Sequence, residues 1–506
     1  MKEYFSHAEQ VSEIEQLAAV YNEILAASDE YGKEKKKTRI LFVGSEVLPF
    51  AATGGLGEVL GSLPKALAAR EDLDVRVIMP FYGDISEEYR SSARYITNYN
   101  VGLAWRNLYC GLFELKKDGV IYYFIDNEYY FKRDGLYGFY DDGERYAFFC
   151  KAVMDSFYFT GFMPDIIHTN DWQTALIPVY NTCKYHYDLK TIFTIHNIEY
   201  QGMYDLSIMG DVFDLPPEAG SYVEYRGCIN LMKGAIETAN VVTTVSPTYA
   251  KELFDPMFAH GLEEIIRRNE TKMTGILNGV DGYDPMDDPD IDAPFSAEDP
   301  SGKALDKQKL QELAGLTVNP KAPVLAIISR LVPHKGMDLI TQAMENVLQH
   351  SNIQLVVLGK GERRYEDYFN WLQNQYQGRV ASMITYNKGL SRKIYAGADL
   401  FLMPSASEPC GLSQMIACRY GTVPIVRKTG GLADSITDVT SEEKKGNGFV
   451  FENYSHEEMT DTIFRALSLY EETAQWADLV HTVMTEDFSW GHSAGVYAEL
   501  YERMLS

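Results

Sequence analysis

Thr53-Gly54-Gly55-Leu56, after the apolar run Ile40-Leu41-Phe42-Val43, and Thr429-Gly430-Gly431-Leu432, after Val423-Pro424-Ile425-Val426, are two copies of one tetrapeptide. Each copy stands between a predicted strand and a predicted helix. Glycines there let the backbone come close to a ligand, and the N–H groups of a helix start suit an anion. One such loop would serve equally well as a purely structural turn. Two, one in each half of a 506-residue chain, point to paired domains closing on a phosphate-bearing ligand.

Outward from these loops the pattern is strand, turn, helix, repeated. Short runs rich in Val, Ile and Phe predict strands at 39–44, 75–79, 121–125, 165–168, 191–195 and 241–245. A second series begins near Thr274, with strands at 323–329, 353–358, 379–384, 399–403, 422–426 and 448–451. Alternating strands and helices imply parallel sheets covered on both faces. Two series make two doubly wound α/β domains, whose ligands bind at the carboxyl ends of the strands. The boundaries follow: a helical extension and charged linker over 1–37, a first domain over 38–275, a second over 276–485, and a helical segment over 486–506 whose packing partner is open. In the extension Val11, Ile14, Leu17, Ala18, Tyr21, Ile24 and Leu25 fall at helical spacing before Gly32-Lys33-Glu34-Lys35-Lys36-Lys37. That helix either packs on its own chain or serves self-association. The acidic stretch Asp281 to Asp299 reads as an exposed loop, with Asp288-Pro289-Asp290 solvated rather than metal-binding.

A formal net charge of -26 and a pI near 4.8 argue against nonspecific binding to nucleic acid or an anionic membrane face. Six cysteines without a C-x-x-C pair fit reduced thiols in a cytoplasm. The start Met1-Lys2-Glu3-Tyr4 has no apolar signal core, and no apolar run reaches the ~18 residues of a membrane span. The histidines show no metal-binding spacing, so no metal cofactor is expected.

Chemistry collects where strands end. Arg330 and Lys335 follow strand 323–329 within Ser329-Arg330-Leu331-Val332-Pro333-His334-Lys335-Gly336. A guanidinium fork and an ammonium suit a diphosphate when no metal shares its charge, although such pairs are also ordinary surface features. Glu408, in Ala406-Ser407-Glu408-Pro409-Cys410-Gly411-Leu412-Ser413-Gln414, either caps the next helix or binds a sugar and its positive charge. His168-Thr169-Asn170-Asp171-Trp172-Gln173 ends one strand and His196-Asn197 another. Imidazole, amide and carboxylate groups gathered there suit a polyhydroxylated sugar; an isolated histidine would be structural.

Taken with Ser45-Glu46-Val47-Leu48-Pro49-Phe50, Thr244-Val245-Ser246-Pro247-Thr248-Tyr249 and Gly275-Ile276-Leu277-Asn278-Gly279-Val280-Asp281, these segments resemble one family from about Thr38 to Ser506. It is that of bacterial glycogen synthase and plant starch synthase, retaining glucosyltransferases of the GT-B fold. The resemblance implies two Rossmann-like domains facing across a deep cleft that closes to exclude water. It further implies glucose transfer from ADP-glucose to the non-reducing end of an α-1,4-glucan. Carried over residue by residue, Arg330 and Lys335 would hold the diphosphate, and Glu408 would orient the glucose and support an oxocarbenium-like transition state. His196 would contact the sugar, with Asp171 and Asn197 beside it. Gly54 and Gly55, the Cys410-Gly411-Leu412 turn, and Thr429, Gly430 and Gly431 would line the substrate, the last three offering N–H groups to phosphate.

The chain departs from this pattern at Ala52, where the family usually has a lysine serving the donor, and at Ala406-Ser407, where a basic residue and an aromatic are common. Position 416 is Ile, so the second glutamate of the E-x7-E pattern of related glycosyltransferases is absent, as is normal in this family. Ala52 leaves a second reading open, a weakly active or non-catalytic paralogue that binds glucan or assists another synthase. A UDP-glucose-dependent GT-B enzyme is a third.

Overall fold

The computed structural model describes residues 37–442 and 445–506. The helix expected in the N-terminal extension, and any self-association through it, lie outside the described residues. Compactness divides the chain into two units. Unit 1 runs to Thr243 and includes His260–Met273 and Tyr497–Ser506; unit 2 holds Thr244–Ala259 and Thr274–Val496.

The strands of unit 1 begin with β1 (Thr38–Val43), β2 (Leu73–Pro80), β3 (Arg94–Leu103), β4 (Arg106–Lys117), β5 (Val120–Asp126), β6 (Ile166–Asn170) and β7 (Lys190–Ile195). Three short strands, β8 (Met203–Asp205), β9 (Glu224–Tyr225) and β10 (Cys228–Asn230), form a small sheet of their own. With β11 (Val241–Thr244) and β12 (Met273–Gly275), the main sheet has the order β12-β11-β7-β6-β1-β2-β5-β4-β3. β1 pairs in parallel with β2 and with β6. Its centre, Ile40, Phe42 and Val43, is fully buried, as near-continuous apolar strands between two helical layers should be.

The predicted parallel strands all form, but the sheet is mixed. β5 is the strand expected at 121–125 and pairs in parallel with β2, but β4 runs antiparallel to both β5 and β3, and the β3–β4 pair is an extension absent from the expectation. Its turn is legible in hindsight. Asp118 and Gly119 both have positive φ, at 50° and 81°, and Lys117 faces Val120, which is the two-residue primed hairpin that an Asp-Gly dipeptide favours.

Unit 2 carries β13 (Val324–Ile328), β14 (Gln354–Leu358), β15 (Val380–Met383), β16 (Leu400–Met403), β17 (Val423–Arg427) and β18 (Phe449–Phe451), in the order β15-β14-β13-β16-β17-β18. Every recorded pairing in it is parallel. The order reverses between β14 and β16 on either side of β13, so β13 lies at the switch point where such sheets take ligands.

The acidic segment of unit 2 is an irregular loop, largely exposed as expected, but Asp288 within it is not solvated. The Asp288 side chain is fully buried, pairs with Arg392 at 2.9 Å and accepts from the Tyr420 hydroxyl. Asp292 pairs with Lys393 at 2.8 Å. Arg392 and Lys393 belong to the helix Lys388–Gly397, so the loop is fastened to that helix through Asp288 and Asp292. Among the described residues no three His, Cys, Asp or Glu are grouped to hold a metal ion, and no helix is long and apolar enough to cross a membrane.

The last helix, Trp490–Leu505, belongs to unit 2 as far as Val496 and to unit 1 from Tyr497. In unit 1 its Tyr501 hydroxyl lies 3.1 Å from His168 Nδ1, while His168 Nε2 lies 2.6 Å from Thr194 Oγ1. The imidazole also stacks on Phe42, with centroids 4.5 Å apart. His168 therefore anchors the chain terminus inside the core and takes no part in a strand-end cluster. Burial holds its pKa down from 6.5 to about 3. The unfolded chain binds a proton that the folded ring refuses, so stability is lost as pH falls below 6.5 toward 3, by about 1.4 kcal/mol per unit. Chemical denaturation of the parent and His168→Gln at pH 7 and pH 5 checks this. The parent loses about 2 kcal/mol more than the variant across that interval; equal losses contradict it.

Candidate active site

Unit 1 brings its groups together where β1, β6 and β7 end. Asn170, the last residue of β6, donates through Nδ2 to Val43 O at 3.0 Å and His168 O at 3.2 Å. Its Oδ1 is therefore the acceptor facing His196 Nε2 at 2.9 Å. That fixes the tautomer: Nε2 carries the proton and Nδ1 keeps a lone pair. Burial lowers the His196 pKa to about 3, so the ring is neutral and accepts through Nδ1 without serving as an acid. Asp171 Oδ1 accepts from the amides of His196 at 2.8 Å and Asn197 at 3.4 Å. Burial raises the Asp171 carboxyl to about 7 against the pull of those two N–H groups. Its backbone has φ 55°, a conformation that non-glycine residues rarely adopt. The Asn197 side chain is used by its own turn, accepting from Glu199 N at 2.9 Å.

The first glycine loop is not an empty anion cradle. Glu46, buried below it, accepts from Thr53 N at 2.6 Å, Gly54 N at 3.1 Å, Thr53 Oγ1 at 2.7 Å and the Tyr137 hydroxyl at 2.8 Å. The signal was present in Ser45-Glu46-Val47, but nothing in the spacing says that its carboxylate turns back onto the loop. A Cβ on Gly54 or Gly55 would meet nothing within 4 Å. Those glycines leave the surface open, and Ala52 beside them is exposed.

In unit 2, Arg330 and Lys335 leave the carboxyl end of β13. Lys335 Nζ donates to Glu408 Oε2 at 2.6 Å, and Ser405 Oγ reaches the same oxygen at 3.1 Å. Glu408 is only 6% exposed, so the carboxylate is both desolvated and paired. Gly336 makes this approach possible: its φ is 78°, and a Cβ there would lie 2.2 Å from Pro404 O. Arg427, at the end of β17, donates from Nε to Ser405 O at 2.8 Å and steadies the Glu408 loop from the other side. Arg330 is exposed, with no carboxylate at ion-pair distance among the described residues. Cys410 is buried, its thiol pushed up to about 12, and so contributes packing and not a nucleophile. Gly411 follows it at φ 69°, and its carbonyl accepts from Gln414 Nε2 at 2.8 Å.

The second glycine loop differs from the first in kind. A Cβ on Gly430 would lie 1.9 Å from Glu408 O, and one on Gly431 would lie 2.0 Å from Cys410 O. These glycines let two backbone segments touch. The N–H groups expected to face phosphate are already paired: Thr429 N with Arg427 O at 3.0 Å, Gly430 N with Glu252 Oε1 at 3.0 Å, and Gly431 N with Glu408 O at 3.1 Å.

Residues 39–268 match the family model described as starch synthase catalytic domain, and residues 309–478 match glycosyl transferases group 1. The chain is 44% identical over 478 residues to a glycogen synthase of Ligilactobacillus salivarius, covering 92% of this chain and all of that one. It is 43% identical over 476 residues to a glycogen synthase of Clostridium beijerinckii, covering 92% and 99%. The chain belongs to the glycogen synthase and starch synthase family. A solved member, the catalytic domain of starch synthase IV from Arabidopsis thaliana bound to ADP and acarbose, superposes with a TM-score of 0.83 at 35% identity, over 92% of this chain and 99% of that one. The two units are thus those of a GT-B glycosyltransferase. Within that family framework the structure brings His196, Asp171 and Asn197 together in unit 1. It brings Lys335, Glu408, Cys410, Gly411, Leu412 and Thr429–Gly431 together in unit 2, and leaves Arg330 projecting at the same strand ends.

Proposed function

We propose that this protein transfers glucose from ADP-glucose to the non-reducing end of an α-1,4-glucan, with retention at the anomeric carbon. The observation that carries this reading is the Lys335–Glu408 pair at the carboxyl ends of the unit 2 strands, beside the exposed Arg330, which has no carboxylate at ion-pair distance among the described residues. As ADP leaves, negative charge grows on its terminal phosphate, where preorganised cations stabilise a transition state more than a ground state. Arg330 presents a fork to two phosphate oxygens, and Lys335 a point charge it shares with Glu408. Lys335 and Ser405 both take Glu408 Oε2. Oε1 is left to hold a glucose hydroxyl and to face positive charge at the anomeric carbon. Neutral His196 accepts a hydrogen bond from a sugar hydroxyl through Nδ1, and Asp171 holds the His196 and Asn197 amides in place. The Gly431 amide, donating to Glu408 O, holds the main chain of Glu408. The six free thiols suit a reducing cytoplasm.

The reading is tested on the product. Glucose added by this protein to glycogen is released by an exo-acting glucanase specific for α-1,4 bonds; label resistant to that enzyme would overturn linkage and stereochemistry together.

Position 52 makes a second expectation. Ala52 is exposed beside the open surface of Gly54 and Gly55, so a longer side chain fits without displacing anything. A charge-assisted contact contributes about 1.5–3 kcal/mol. Ala52→Lys accordingly improves kcat/KM for ADP-glucose by about 10- to 150-fold with the same product. Unchanged kinetics at low ADP-glucose would show that position 52 carries no deficit.

A further inference from the structure

The segment Ser246–Glu252 grips the part of unit 2 that carries Glu408 at three points. Ser246 Oγ donates to Pro409 O, one residue after Glu408, at 2.7 Å. Thr248 donates through N and Oγ1 to the two Asp434 carboxylate oxygens, both at 2.7 Å. Glu252 Oε1 accepts from Thr429 Oγ1 at 2.8 Å and from Gly430 N at 3.0 Å. The other oxygen, Glu252 Oε2, is buried and has no hydrogen-bond partner among the described residues. Burial raises the Glu252 carboxyl above its ordinary range.

A half-satisfied buried carboxylate is unfavourable for stability alone. What it does hold is specific. Gly430 has φ 44°, and its neighbour Gly431 donates to Glu408 O at 3.1 Å. A two-residue path of hydrogen bonds therefore runs from the Glu252 carboxylate to the main chain of Glu408.

The geometry points to Glu252 as a positioning residue: its Oε1 holds Thr429 and Gly430, and through Gly431 it fixes the carbonyl of Glu408, and so the aim of the Glu408 carboxylate. The role rests on the reading of Glu408 under Proposed function. Displacing a group by about 1 Å from its productive geometry costs about 10²-fold in rate. Steady-state kinetics with ADP-glucose on glycogen, for the parent, Glu252→Ala, Glu252→Gln, Thr429→Val and the Glu252→Ala/Thr429→Val pair, test it. Glu252→Ala lowers kcat by about 10- to 100-fold. Glu252→Gln keeps the Oε1 acceptor and returns kcat to within about threefold of the parent. Thr429→Val lowers kcat less, and the double variant is no worse than Glu252→Ala, because both substitutions cut one path. Unchanged kcat in Glu252→Ala, a glutamine variant as impaired as alanine, or additive losses in the double variant would each overturn the role. If Glu252→Ala does not fold, Thr429→Val decides, and full kcat there overturns it. A parent that transfers no glucose would refute the transferase reading, and this role with it; an active parent beside an unaffected Glu252→Ala would refute only the role.

Discussion

Glu408→Ala lowers glucose transfer by at least about 10³-fold, while the circular dichroism spectrum and melting temperature stay close to those of the parent. Preorganised electrostatic groups aimed at developing charge are worth about 10²–10³ in kcat singly, and Glu408 also orients the sugar that carries the charge. The fold survives because the carboxylate joins no apolar core. Its partners are Lys335 and Ser405, and its main chain, held by Gly431, is unaltered by the substitution. Glu408→Gln separates the two parts of the role. The amide preserves shape and a hydrogen bond to Ser405 but carries no charge, so donor binding is retained while turnover stays lost. Turnover within tenfold of the parent in either variant would remove Glu408 from the mechanism.

Lys335→Ala is expected to lose about 10²–10³ in kcat, and to be the less stable of the two variants. The side chains of Lys335 and Glu408 are 18% and 8% exposed, so both charges are largely withdrawn from water. Removing one partner of a buried pair leaves an uncompensated charge, at about 3–5 kcal/mol when burial is complete; Lys335→Ala leaves the more deeply buried Glu408 in that state, whereas Glu408→Ala leaves Lys335, which keeps more contact with solvent. Lys335→Arg restores the charge but not the shape. A fork cannot sit where a point charge reaches both Glu408 and a phosphate, so recovery is partial. Calorimetry on ADP separates the two effects. Both Lys335 variants bind ADP more weakly than the parent, whereas Glu408→Gln binds it as the parent does. A Lys335→Ala enzyme with parental kcat and parental ADP affinity would show that the ammonium serves only to neutralise Glu408.

The two doubly wound units were legible because buried parallel strands are nearly continuous apolar runs, and Val324–Ile328 or Ile40–Val43 admits few other readings. The β3–β4 extension was less visible, since its strands interleave exposed with buried residues and mix charged with aromatic side chains. Only Asp118-Gly119 announced a hairpin. At the site, residue types and strand-end positions singled out Lys335, Glu408, His196 and Asp171. Partners were not readable: that Glu46 and Glu252 would turn back onto the two glycine loops depends on contacts between residues 7 and 178 positions apart. The repeated tetrapeptide likewise hid two different physical roles. At Gly54 and Gly55 the missing side chain opens a surface; at Gly430 and Gly431 it lets backbone touch backbone. His168 looked like part of a sugar site because periodicity places it at a strand end, whereas the last helix reaches it from more than three hundred residues away. Asp288 looked solvated because charge composition says nothing about Arg392 waiting on a neighbouring helix.

Transfer of labelled glucose onto glycogen, from ADP-glucose and from UDP-glucose in parallel, tests the central claim most directly. Incorporation from ADP-glucose is expected, with UDP-glucose far slower. Incorporation from UDP-glucose alone would keep the fold and overturn the donor, and a folded protein that binds glycogen yet incorporates label from neither would contradict the assignment as a transferase.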